Sequence, residues 1–223
     1  MHEIGVHSLV QFSGYTFNWD TLWTTWLTMG LVFLFFYVGT RNLKTLPSGW
    51  QNLLEMITCF LMSQMDGTLG PRGRRVVPVI VTFFVFILIS NWLGLIPMLT
   101  SPTNDLNTTL ALSTTMVLII HITGVAVKGM TYIKHFFQPA LPFFFINMIE
   151  ELSKPVTLAF RLFGNILAGE ILIIILLKLI PIWFPVPSVL WLGFSVIVGV
   201  LQAFIFCMLS ICFFSNAVKD DHH

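Results

Sequence analysis

One arginine, Arg161, stands between LAF and LFGN inside a run of residues that otherwise reads as membrane-embedded helix. A charge at that depth costs about 2.5–3.5 kcal/mol on insertion scales. The chain must therefore house it among other helices or bring water to it. Two readings compete at this point. Arg161 is a functional charge, or it pairs structurally or snorkels to a headgroup.

Its surroundings favour the first. Residues 150–170 read EELSKPVTLAFRLFGNILAGE and hold most of the charge in a long apolar region. At about 100° per residue, Asn147, Glu150, Lys154, Thr157, Arg161 and Asn165 fall within about 40° of one line along a helix. Glu170, nine residues beyond Arg161, is turned about 180° away. Acids thus lie before and after the arginine, on different faces. Ala159, Gly164, Ala168 and Gly169 keep the surface shallow, as small residues do where membrane helices pack closely.

Composition sets the class. The chain of 223 residues is 56% hydrophobic and only 9% charged, with a mean hydropathy of +0.88, against roughly 25% charged in a soluble domain. It reads as an all-α integral membrane protein, one membrane domain over 1–223. The net charge of +1 and the dispersed basic residues give no nucleic-acid surface. Cys59, Cys207 and Cys212 show no metal or redox spacing and read as buried small hydrophobes. No phosphate loop, nucleophile elbow or Cys/His cluster is present, so neither catalysis of the soluble type nor a metal or other cofactor is expected.

In chain order, residues 1–12 contain Glu3 but no Lys or Arg, unlike a secretory or transit peptide, and nothing there reads as cleavable. Asp20 is placed to cap a first span over 20–40, with Trp19, Trp23 and Trp26 as an aromatic belt. Arg41 and Lys44 follow, which puts the N-terminus outside and the next loop in the cytoplasm. Ser48 and Gln51 stand in capping-box register for a helix over 48–66. Trp50, Leu53, Leu54, Ile57 and Leu61 oppose Gln51, Asn52, Glu55 and Thr58, so this helix is expected to lie along the interface. Arg72, Arg74 and Arg75 mark the cytoplasmic side again.

Spans are expected over 76–97 and 108–127, joined outside by a loop with Asp105 and no basic residue. His121, within the second of these, reads more readily as hydrogen-bonded packing than as a ligand. Residues 139–180 then form about forty largely helical residues, about 60 Å long, twice a hydrocarbon core of about 30 Å. The segment must tilt steeply or bend near Pro155. A proline-rich turn, PIWFPVPS, leads to a last segment over 188–218, also too long to stand upright, and a cytoplasmic, solvated tail KDDHH. The expected fold is thus five membrane-embedded segments and one interfacial amphipathic helix, the last two long and strongly tilted as a hairpin. Of the 11 Lys and Arg residues, none falls in an outer loop.

The final segment places Ser195, Gly199 and Gln202 on one narrow stripe. An amide in lipid needs a partner, and Arg161 or Glu170 across the hairpin would serve Gln202.

The blocks SKPVTLAFRLFGNILAGE (153–170), LQAFIFCML (201–209) and SPTNDLNTTLAL (101–112), with the order and lengths of the spans, resemble subunit a of the F-type ATP synthase over essentially the whole chain. That family resemblance implies an ion-translocating, non-catalytic stator subunit of a hetero-oligomeric complex, working against a c-subunit ring beside peripheral-stalk b subunits. Two aqueous half-channels would meet the ring at different places. Arg161 resembles the obligatory arginine between them, Asn165 and Gln202 its polar neighbours, and Glu170 the acid of the outer half-channel. The chain departs from some bacterial members at Ser195, where they carry histidine, and at Asn147, where some carry glutamate. Ser195, Gln202 or water would then complete the outer relay, and Glu150, or less readily Glu151, the inner one. The implied location is a bacterial plasma membrane, with a thylakoid membrane as the alternative on the strength of the PTNDLNTT block and the terminal histidines. Rival functions are a stand-alone secondary transporter binding an anionic substrate at Arg161, and a non-conducting scaffold. The transporter would predict inverted repeats, and none is visible.

Overall fold

The computed structural model describes residues 9–12, 15–96, 99–129, 132, 141–179 and 186–218. The tail, Lys134 and the first part of the proline-rich turn lie outside the described residues. Six α-helices form the bulk: α1 (Trp19–Thr40), α2 (Trp50–Leu69), α3 (Val77–Leu93), α4 (Leu106–Lys128), α5 (Leu141–Leu179) and α6 (Val186–Val218). Four of them, α1, α4, α5 and α6, are long and apolar enough to cross a membrane, and α3 is a shorter apolar helix. The all-α expectation describes the bundle, to which the structure adds a small antiparallel ribbon. Its strands, β1 (Leu9–Phe12) and β2 (Tyr15–Asn18), run into α1 with Phe12 opposite Tyr15.

α3 is the hub. It packs against α6, α1 and α2, and buries Ile80, Val81, Phe84, Val85 and Ile87. α6 answers with Phe206, Ile211 and Phe214 and α2 with Leu61 and Met65, while α5, packed on α4 and α6, buries Leu158, Ala159 and Leu162. Burial on several sides explains why α3 is apolar all round instead of striped. The outside is apolar too: Phe33, Phe145, Leu152, Phe160 and Leu201 are exposed, a surface suited to lipid or protein partners and costly in water.

Several local expectations change. The N-cap of α1 is Asn18, not Asp20, because the chain enters the helix from a strand. Gln51 does not oppose the apolar face of α2. It is buried, and its side chain accepts from Lys44 N at 3.0 Å and donates to Lys44 O at 2.9 Å. The amide thus satisfies the preceding loop instead of closing a capping box on Ser48. Cys207 is buried, whereas Cys59 and Cys212 are exposed, since their helices present those faces outward.

α3 also ends four residues short of the expected limit, and the reason matters for the site. The chain folds back under the helix end, with Ser101 pressed on Gly94. A Cβ at Gly94 would lie 2.7 Å from Ser101 Cβ, so the close approach requires glycine. Ser101 Oγ donates to Ser90 O at 2.9 Å and caps a short 3-10 turn, Pro102–Asn104. Asp105 then caps α4, accepting from Asn107 N at 2.9 Å.

Candidate functional site

Two polar clusters lie along α5, with Arg161 between them. In the first, Glu170 on α5 accepts from Asn104 Nδ2 through both carboxylate oxygens, at 2.9 Å each. Beside it is a cavity of about 330 Å³, lined by Asn165, Glu170, Asn91, Ser101, Trp191 and Ser195 among others. α6 is held close there. Asn91 Nδ2 donates to Gly199 O at 3.1 Å and Trp92 Nε1 to Val196 O at 3.3 Å. A Cβ at Gly199 would come within 3.3 Å of Asn91 Cβ. Ser195 Oγ donates back to Trp191 O at 2.9 Å.

The wall has spare polar capacity. Trp191 Nε1, in the lining, is buried without a hydrogen-bond partner among the described residues, as is Ser90 Oγ on α3, outside the lining. A cavity of this size with several polar groups in reach satisfies the usual requirements for holding water.

The second cluster joins α4 to α5 near residue 128. Glu151 pairs with Lys154 one turn on, and its other oxygen lies 3.3 Å from His121 Nε2. His121 Nδ1 meets the Tyr132 hydroxyl at 2.7 Å. Tyr132 reaches it because Gly124 leaves room for the ring: a Cβ there would be 2.8 Å from Tyr132 Cε2. Burial first, and the Glu151 charge second, push the Tyr132 phenol up to about 12. Lys154 Nζ also sits 5.5 Å from the centre of the Phe213 ring on α6.

Arg161 lies ten residues beyond Glu151 and nine before Glu170, about 15 Å and about 13.5 Å along the helix. It is half-buried and makes no hydrogen bond or ion pair with any described residue. Gln202 is buried, and its Nε2 is likewise unpaired. The expected bond from Gln202 to Arg161 or Glu170 is therefore not made among the described residues; Glu170 accepts from Asn104.

Of the residues singled out from sequence, the structure brings Glu170, Asn165 and Ser195 to one cavity. Glu151 enters the second cluster, whereas Glu150 is exposed and outside it. Asn91, Asn104, Tyr132 and Lys154 were missed as site residues. Asn104 was the most legible of them, since it sits in the SPTN block. Among the described residues no group of three or more His, Cys, Asp or Glu could hold a metal ion.

Bundle and clusters together define a helical integral membrane protein that stations ionisable side chains along one long helix. A family model described as "ATP synthase A chain" matches residues 22–215. ATP synthase subunit a of Desulforamulus reducens is 48% identical, over 91% of this chain and 81% of that one. The Moorella thermoacetica subunit a is 41% identical over 90% and 91%. The chloroplastic subunit a of Stigeoclonium helveticum is 37% identical over 99% and 93%. The chain belongs to the ATP synthase subunit a family.

Proposed function

We propose that this chain is the ion-translocating stator subunit of a rotary F-type ATP synthase. It forms two half-channels that deliver ions to and from a c-subunit ring, and Arg161 separates them. The supporting observation is the placement of Arg161: a half-buried guanidinium without a protein partner among the described residues, midway between two polar clusters on one helix. Glu170, Asn165, Ser195 and Gln202 belong to the outer half-channel. Glu151 belongs to the inner one, with Glu150 at its rim. ATP chemistry resides on other subunits, and peripheral-stalk b subunits and lipid complete the surroundings. In the membrane, α1, α3, α4, α5 and α6 are embedded and α2 lies along the interface. α5 and α6 form a tilted hairpin, with the N-terminus outside and the C-terminus in the cytoplasm of a bacterial cell.

The physics of the arginine suits this role. A guanidinium stays protonated at any working pH. It draws a ring carboxylate into its ionised form as that site passes. It also opposes direct passage of cations, because like charges repel strongly in a low dielectric. Each charge that crosses the full potential releases about 2.3 kcal/mol per 100 mV. That work becomes torque only when the direct route is closed.

Arg161→Ala in the assembled complex tests this, with ATP-driven pumping and passive leak both measured in vesicles. Pumping is expected to vanish while a leak appears or persists. Pumping at the original rate would refute the assignment.

A further inference from the structure

The turn that carries Asn104 is fastened on both sides. Ser101 is tied to Ser90 O at 2.9 Å and shares a hydrogen bond with Thr103 Oγ1 at 2.8 Å. Asp105 caps α4 with one oxygen and with the other accepts from Asn18 Nδ2 at 2.8 Å. Ser101, Thr103 and Asn104 are all buried. Between these anchors Asn104 projects its amide onto Glu170, one nitrogen serving both carboxylate oxygens.

We infer that Asn104 is the positioning residue for Glu170, holding the carboxylate against the cavity through both its protonation states. This rests on the assignment of Glu170 to the ion path. An unrestrained glutamate carries several rotatable bonds and loses substantial entropy when fixed; the rigid turn supplies that restraint. An amide also has the right chemistry for a group that gains and loses a proton. Its NH₂ donates to the ionised carboxylate, and its oxygen accepts from the protonated one. A lysine or arginine in its place would hold Glu170 ionised, and an acid would repel it.

The neighbourhood gives a proton one destination. α3 and the turn contribute Asn91 and Ser101 to the cavity wall, and α6 contributes Trp191 and Ser195. Glu170 is the one ionisable side chain among the residues lining the cavity. The next along the turn, Asp105, is held by Asn18 and the start of α4. Asn18 thereby makes the start of α1 an outer brace for the turn.

Asn104→Asp discriminates positioning from a purely structural role, because Asp has the same size and forms such turns equally well. The complex is assembled in vesicles, and passive proton conduction through its membrane sector is measured after the soluble sector is stripped, across pH. Co-purification of the c-ring reports assembly. At about pH 8 two carboxylates would face each other, and conduction is expected to fall about tenfold or more. It should recover as the pH drops and one proton is shared. Conduction equal to the parent across the pH range would overturn the inference.

If Asn104→Asp fails to assemble, Asn104→Ser and Asn104→Ala are compared. Serine keeps a donor and an acceptor, so it should retain more conduction than alanine, and equal rates would overturn the inference. Glu170→Gln run in parallel separates the two levels. Should it conduct like the parent, the ion-path assignment of Glu170 fails. Should it abolish conduction while Asn104→Asp is silent, only the positioning role fails.

Discussion

Nε2 of His121 lies 3.3 Å from Oε2 of Glu151, which ties α4 to α5 at the end of the bundle opposite Glu170. The same carboxylate holds Lys154, and Lys154 in turn sits over Phe213. One glutamate therefore links three helices, directly or through its partner. Its loss leaves a largely buried ammonium without its counter-charge, a situation that destabilises more than the pair itself stabilises.

Glu151→Leu should lower the stability of the detergent-purified chain by about 1–3 kcal/mol, read as a lower thermal midpoint. Glu150→Gln, one position away but exposed and outside the cluster, should change it by less than about 0.5 kcal/mol. Equal effects from the two substitutions would contradict the cluster described here.

Tyr132 offers a spectroscopic check on the same contacts. Its phenol is pushed up to about 12 by burial and by Glu151. A raised value means that the folded state keeps a proton the unfolded chain gives up from about pH 10. The stability contributed by this group is thus full below about pH 10 and is lost as the pH rises through about 12. Tyrosinate absorbance, taken as the difference between parent and Tyr132→Phe, should show this late ionisation. Glu151→Gln should move it to lower pH without returning it to the ordinary value, because burial is the larger cause. A normal titration in the parent would show that the ring is not buried beside that carboxylate.

How much of this was legible depended on the distance over which each feature is encoded. Helix limits followed from apolar runs and charged loops, so 108–127 and 139–180 fall within two residues of α4 and α5. The end of α3 did not, because Gly94 stops the helix only by admitting Ser101 to its flank. Periodicity placed Glu170 on the face opposite Arg161, yet it could not supply the partner, since Asn104 is 66 residues away in the chain. The same limit hid Tyr132 from His121, for the pair depends on a positive φ at Gly129 and on the space above Gly124. Stripe geometry also ranked Glu150 above Glu151. It could not show that helix α4 presents His121 to the second acid.

The Gly94 contact should be sensitive to a single methyl group. Gly94→Ala places a Cβ 2.7 Å from Ser101 Cβ, and a well-packed site resists such insertion at about 1–3 kcal/mol. The turn would be pushed off α3 and Asn104 drawn away from Glu170. The expected result is a less stable subunit and slower conduction together. Gly67→Ala, where an added Cβ meets nothing within 4 Å, should lower neither.

Gln202 allows stability and function to be set against each other. It is buried on α6 with Nε2 unpaired among the described residues, and an unmet donor in an apolar interior costs about 1–3 kcal/mol. Gln202→Leu keeps much of the volume and removes that donor, so the purified subunit should gain roughly 1 kcal/mol, or about 2–4 °C in thermal midpoint. An amide retained only for packing would make this substitution harmless to pumping as well. An amide that serves water or a passing carboxylate in the ion path predicts the reverse: a more stable chain that pumps about tenfold more slowly or worse. Loss of stability in Gln202→Leu, with pumping intact, would place the side chain outside the path and leave it a structural contact of α6.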